Sequence, residues 1–114
     1  KQMIEIPAGI LDVSGESKVD AAARELAEEA DVMADTWEHL FQINPTPGFC
    51  SEEIALYLAL DLKSVQFADR TNREAEEAHM RQWWVPLDKA VAAVLSGKIT
   101  DAKTIAAILA VAAR

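Results

Sequence analysis

Apolar residues recur at helical spacing near the start and the end of this chain, and between those regions they group as they do in strands. Lys1 to Pro7 alternates around Met3, Ile4 and Ile6 and predicts a short strand, ended by Pro7-Ala8-Gly9. Val19, Ala22, Ala23, Leu26 and Ala30 fall on one stripe of a helix from Lys18 to Ala30, with Ser17 as its cap and Asp12–Gly15 as the loop before it. Ala34–Ile43, carrying Trp37, Leu40, Phe41 and Ile43, reads as a strand that gives way to the turn-rich Asn44-Pro45-Thr46-Pro47-Gly48. Ile54–Leu62 is apolar enough for a central strand, and Lys63–His79 is polar and loop-like. Gln82–Val85 predicts a strand ended by Pro86. Asp88 caps a helix through Leu95, Gly97 breaks it, and Thr100 or Asp101 caps a last helix to Ala113. Strands and helices mix without a regular βαβ rhythm, which predicts an α/β sandwich with a mixed sheet.

The first helix carries a second pattern. Glu25, Glu28 and Glu29 stand at i, i+3 and i+4, where like charges repel, and they occupy the last two turns, where the helix dipole disfavours anions. A charged helix face is most often simply solvated. A cation would repair the repulsion, and broken local rules of this kind mark functional sites. Carboxylates without His or Cys nearby suit hard ions such as Mg²⁺ or Mn²⁺.

The composition narrows the partners. At 114 residues the chain is one domain's worth, 1–114, and 51% apolar content makes disorder improbable. A net charge of −8 argues against a nucleic-acid surface and against an anionic membrane face. Cys50 is the single cysteine, so no internal disulfide framework exists, which fits a reducing cytoplasm. No apolar run approaches the length of a membrane span, and no signal peptide is visible.

What turns the acidic face into a specific expectation is the whole string around it. Gly9, then Glu16, then seven residues to Arg24-Glu25-Leu26-x-Glu28-Glu29-x-Asp31-Val32 closely resembles the Nudix box. Two departures stand out: six residues rather than the usual five separate Gly9 from Glu16, and Asp31 replaces the closing glycine. Asp tolerates left-handed backbone better than most residues, so Asp31 can still end the helix. The chain starts at Lys1, close to the box, whereas the resemblance implies earlier strands, so the expectation is a Nudix domain incomplete at its N-terminus.

The residues after the box resemble the ADP-ribose pyrophosphatase subgroup. Pro47 lies sixteen residues beyond Asp31, and Pro47-Gly48-Phe49 leads toward the next strand, where the subgroup binds substrate. Alone, Pro47-Gly48 would pass for an ordinary turn. Trp84-Val85-Pro86-Leu87 and Gly97-Lys98-Ile99-Thr100-Asp101 also match the subgroup. The resemblance implies that Glu25, Glu28 and Glu29 hold one or more Mg²⁺ ions, or Mn²⁺, with the backbone carbonyl of Ala8, and that Glu16 pairs with Arg24 to orient the helix. It implies a general base in the acidic loop Arg73–Met80: Glu76 by its distance from the following strand, then Glu77, with Glu28 as the candidate on the helix. A solvated charged loop is an equally ordinary reading of any one of those glutamates.

The expected activity is hydrolysis of the diphosphate of ADP-ribose to AMP and ribose 5-phosphate, by a cytoplasmic homodimer. Another nucleoside diphosphate derivative, such as a nucleotide sugar, is the alternative substrate. A non-catalytic nucleotide-sensing module ranks lower, because the box keeps all its carboxylates. Trp37, Phe41, Tyr57, Trp83 and Trp84 are expected in the core from their strand positions. His39 and His79 lack partners at ligand spacing and are read as structural or surface residues.

Overall fold

A computed structural model of the chain describes residues 5–7, 15–49, 52–65 and 82–114. Among these, helix α1 (Lys18–Ala30) is followed by strands β1 (Val32–Ile43) and β2 (Ile54–Ser64), then helices α2 (Leu87–Leu95) and α3 (Ala102–Ala112). This is the α/β composition that the mixed pattern predicts.

The strands pair in one ladder, and their partners run in opposite senses. His39 lies against Tyr57, Thr36 against Asp61, and the carbonyl of Asp31 accepts from the Val65 N–H. Rising numbers on β1 meet falling numbers on β2, so the pair is antiparallel. Asp61 has φ 57° inside β2, and its carboxylate accepts from the Thr36 hydroxyl at 3.2 Å. Asp is among the few residues that take the left-handed region readily.

The chain forms two compact units. One holds the segments 1–6, 39–58 and 84–114. Here α2 packs on α3, and Leu56, Ile99 and Thr104 are buried. The turn between the helices is set locally. Gly97, at φ 81°, donates to the Val94 carbonyl, and Lys98 donates to the Ala93 carbonyl at 2.9 Å. That pair of bonds satisfies the last carbonyls of α2 and needs the left-handed glycine. The other unit holds the segments 7–38 and 59–83, with Ala21, Val32 and Val65 buried.

Several expectations are corrected. Gln82–Val85 is not a strand, since the described ladder contains β1 and β2 alone and a strand needs a partner for its backbone groups. Trp83 and Trp84 are 60% and 69% exposed, and Phe41 is also exposed, so these three are not core residues. Asp88 does not cap α2. Pro86 occupies the cap position without a side-chain bond, and Asp88 sits in the first turn, where the helix dipole still favours its charge. Glu5 to Pro7 form no strand, Lys1–Ile4 lying outside the described residues. Lys63 and Ser64 extend β2 rather than opening the loop, and 66–79 lies outside the described residues.

Candidate functional site

Helix α1 runs over the predicted residues because both its ends are fixed by side-chain and backbone chemistry. Ser17 accepts from the Asp20 N–H at 3.2 Å, satisfying one of the unpaired amides of the first turn. At the other end Asp31 adopts φ 55° and ψ 36°, and its N–H donates to the Ala27 carbonyl at 3.1 Å. The residue that replaces the expected glycine thus does the glycine's work. Its own carbonyl then accepts from Val65 at 2.9 Å, tying the end of the helix to the end of β2.

Arg24 organises the acidic face. Its Nε and Nη2 donate to Glu16 Oε2 and Oε1 at 3.0 and 3.1 Å, a two-pronged pair that fixes the guanidinium plane. Its Nη1 donates to Glu25 Oε1 at 2.8 Å and lies 3.5 Å from Glu28 Oε2. The Glu16 and Glu25 side chains are 11% and 14% exposed, so these contacts are shielded from water more than a surface pair would be. The hydrogen bonds that Arg24 donates to Glu16 outweigh partial desolvation and raise the Arg24 pKa above its ordinary value. The repulsion that the spacing of the glutamates implies is therefore partly relieved within the chain, by Arg24.

Glu29 follows one turn after Glu25, and its backbone carbonyl accepts from the Gln82 side-chain amide. Gln82 thereby serves a last-turn carbonyl that no later residue of the helix can reach. Sequence reading assigns no role to Gln82, and a lone glutamine fifty-three positions away gives no signal of one.

Among the described residues no group of three His, Cys, Asp or Glu side chains converges as a ready metal site. Glu25 and Glu28 face Arg24 instead. The donor chemistry nevertheless fits a hard divalent cation: α1 offers Glu25, Glu28 and Glu29 within its last two turns, and it contains no His or Cys. Ala8, Glu76 and Glu77, the other expected participants, lie outside the described residues.

Pro47, Gly48 and Phe49 form an exposed turn after β1, in which the Phe49 N–H donates to the Thr46 carbonyl at 3.0 Å. The Phe49 side chain is 92% exposed. This turn belongs to the unit that contains α2 and α3, while Glu16 to Glu29 belong to the other. His39 stacks edge-on against Tyr57 with ring centroids 5.2 Å apart, which accounts for it as a cross-strand partner.

Comparison with known proteins agrees with the box. The NUDIX domain family matches residues 1–108. An ADP-ribose pyrophosphatase of Mycobacterium tuberculosis is 42% identical over 97% of this chain and 52% of its own length. A methanol dehydrogenase activator of Bacillus methanolicus is 33% identical over 95% of this chain and 56% of its own. A GDP-mannose pyrophosphatase of Yersinia enterocolitica is 29% identical over 90% and 52%. The chain thus spans about half the length of the curated relatives it matches. With the box in the sequence, the Glu16–Arg24 pair on its helix and the family match along nearly the whole chain, this protein belongs to the NUDIX domain family.

Proposed function

We propose that the protein hydrolyses the diphosphate of ADP-ribose, with Mg²⁺ or Mn²⁺, to AMP and ribose 5-phosphate. The observation that carries this reading is the glutamate helix held by Arg24, in a chain similar over 97% of its length to an ADP-ribose pyrophosphatase. Glu25, Glu28 and Glu29, with the Ala8 carbonyl, hold the cation. When bound, the cation supplies charge neutralisation for the diphosphate, which a protein of net charge −8 needs. Arg24 keeps Glu16 and Glu25 in fixed orientation, so the carboxylates need not be ordered when substrate arrives. Glu76 takes a proton from the attacking water as its oxygen bonds to phosphorus and the bridging P–O bond breaks. Glu77 or Glu28 are the alternative bases. Pro47, Gly48 and Phe49 supply contacts to substrate. The working form is a homodimer, and the single Cys50 favours a cytoplasmic setting. Among the described residues no helix is long and apolar enough to cross a membrane.

A second substrate class has its own support in the 29% identity to a GDP-mannose pyrophosphatase. The test is product analysis for ADP-ribose, GDP-mannose and a UDP-sugar, with Mg²⁺ and with a chelator, for the wild type and Glu29→Gln. The proposal expects ADP-ribose to be the best substrate, with activity lost to the chelator and lowered by orders of magnitude in the variant. Preference for a nucleotide sugar would select the second class. Near-wild-type turnover by folded Glu29→Gln would sink the cation assignment.

A further inference from the structure

The Arg24 guanidinium divides its nitrogens between two kinds of partner. Nε and Nη2 go to the two oxygens of Glu16 at 3.0 and 3.1 Å, a charge-assisted fork. Nη1 goes elsewhere. It donates to Glu25 Oε1 at 2.8 Å and stands 3.5 Å from Glu28 Oε2, so oxygens of two proposed cation ligands meet at one nitrogen. All four residues lie within one compact unit, the one that holds the segment 7–38. The ends of the group differ in their access to water: the Glu16 side chain is 11% exposed and the Glu28 side chain 29%. Nor do the charges balance. Three carboxylates face one guanidinium, which leaves two negative charges on these side chains, the amount that one divalent cation would neutralise.

We infer that Arg24 is a placeholder for the divalent cation: its Nη1 gives up Glu25 and Glu28 when a cation binds them, while its Nε and Nη2 stay on Glu16. Until then Nη1 supplies the positive charge that holds the two carboxylates near each other against their mutual repulsion. Arg24 is then a positioning residue with two settings that pivot on Glu16. The two positive groups compete for the same oxygens. A guanidinium left on one oxygen of Glu25 would face a divalent cation on the other, like charges at short range in a partly shielded place. Nη1 is also the arm better able to yield. Its bond to Glu25 is single where the Glu16 fork is double, and its 3.5 Å approach to Glu28 is longer than a normal hydrogen bond. Glu16 is not among the proposed ligands, so nothing draws the fork away from it. The inference rests on the reading of Glu25 and Glu28 as cation ligands and concerns what their other partner does.

The experiment follows the Arg24 guanidinium of the full chain by nitrogen nuclear magnetic resonance during a Mg²⁺ titration, with calorimetry on the same samples to measure Mg²⁺ binding. At saturation the Nη1 protons are expected to exchange with water about tenfold faster, the worth of one charge-assisted hydrogen bond, while Nε–H exchange changes less than about twofold. Na⁺ at matched ionic strength should leave both arms in place; equal release by Na⁺ would mean general screening and overturn the inference. Unchanged Nη1 exchange in protein that binds Mg²⁺ overturns the placeholder and leaves the cation reading standing, with Arg24 as a fixed support. Release of both arms overturns the pivot on Glu16, and the inference with it. Absence of Mg²⁺ binding in the calorimeter overturns the cation reading itself and therefore this inference also.

Discussion

Arg24 holds Glu16 with two hydrogen bonds of 3.0 and 3.1 Å, one to each carboxylate oxygen, across eight positions of sequence. The pair joins the residue before the helix cap to the middle of α1, and the same guanidinium reaches Glu25 and Glu28. Lysine carries the charge but not the planar fork. Arg24→Lys is therefore expected to lose about 1–3 kcal/mol of stability, measured by urea unfolding, because one charge-assisted bond at least goes unmade. Stability equal to wild type would show that charge alone suffices there.

The proposed base belongs to the acidic stretch Arg73–Met80. Glu76→Gln is expected to lower kcat about 10²–10⁴-fold with little change in KM, since a positioned base acts in the transition state. Steady-state kinetics on ADP-ribose checks this. A loss found instead in Glu77→Gln or Glu74→Gln moves the role within that stretch, and silence in all three moves it to Glu28.

Asp31 ends α1 with φ 55°, a conformation glycine takes without penalty, and its carboxylate sits at the negative end of the helix dipole. Asp31→Gly is expected to stabilise the fold by about 0.5–1 kcal/mol, and Asp31→Val to destabilise it by more than about 1 kcal/mol. Thermal melts of the two variants should move Tm in opposite directions. A lower Tm for Asp31→Gly would mean that the aspartate side chain contributes more than its backbone conformation costs.

The Asp101 carboxyl is depressed in the folded chain: burial alone would raise it, and the bonds from Thr104 and Lys103 overcome that effect. A depressed acid adds stability above its unfolded pKa, near pH 4, and loses that contribution as pH falls through the folded value. Lys103 is opposite in sign. Desolvation would lower it, but Glu5 and Asp101 raise it, so its contribution is present below about pH 10.4 and is lost as pH climbs through the folded value. Asp101→Asn should therefore be less stable than wild type at neutral pH, with the gap closing below about pH 4. Urea unfolding along an acid series checks this, and a gap independent of pH would reject it.

Sequence by itself determined what depends on near neighbours. The bounds of α1 were legible because Ser17 and Asp31 complete its unpaired backbone groups within one turn, and the break at Gly97 because the residue must take a left-handed conformation. Family membership was legible for the same reason, since the box is a continuous string from Gly9 to Val32. The two described strands were visible as apolar runs, their ends less so, because β2 continues through polar Lys63 and Ser64 only where β1 offers partners. Tertiary structure alone decided the rest. Trp83 and Trp84 have the composition of a buried strand, but burial depends on what covers them, which no local pattern states. Gln82 at the Glu29 carbonyl and Thr104 at the Ile6 amide join residues 53 and 98 positions apart. Such bonds carry no periodic signal, because they exist only after the chain has folded back and brought the two residues together.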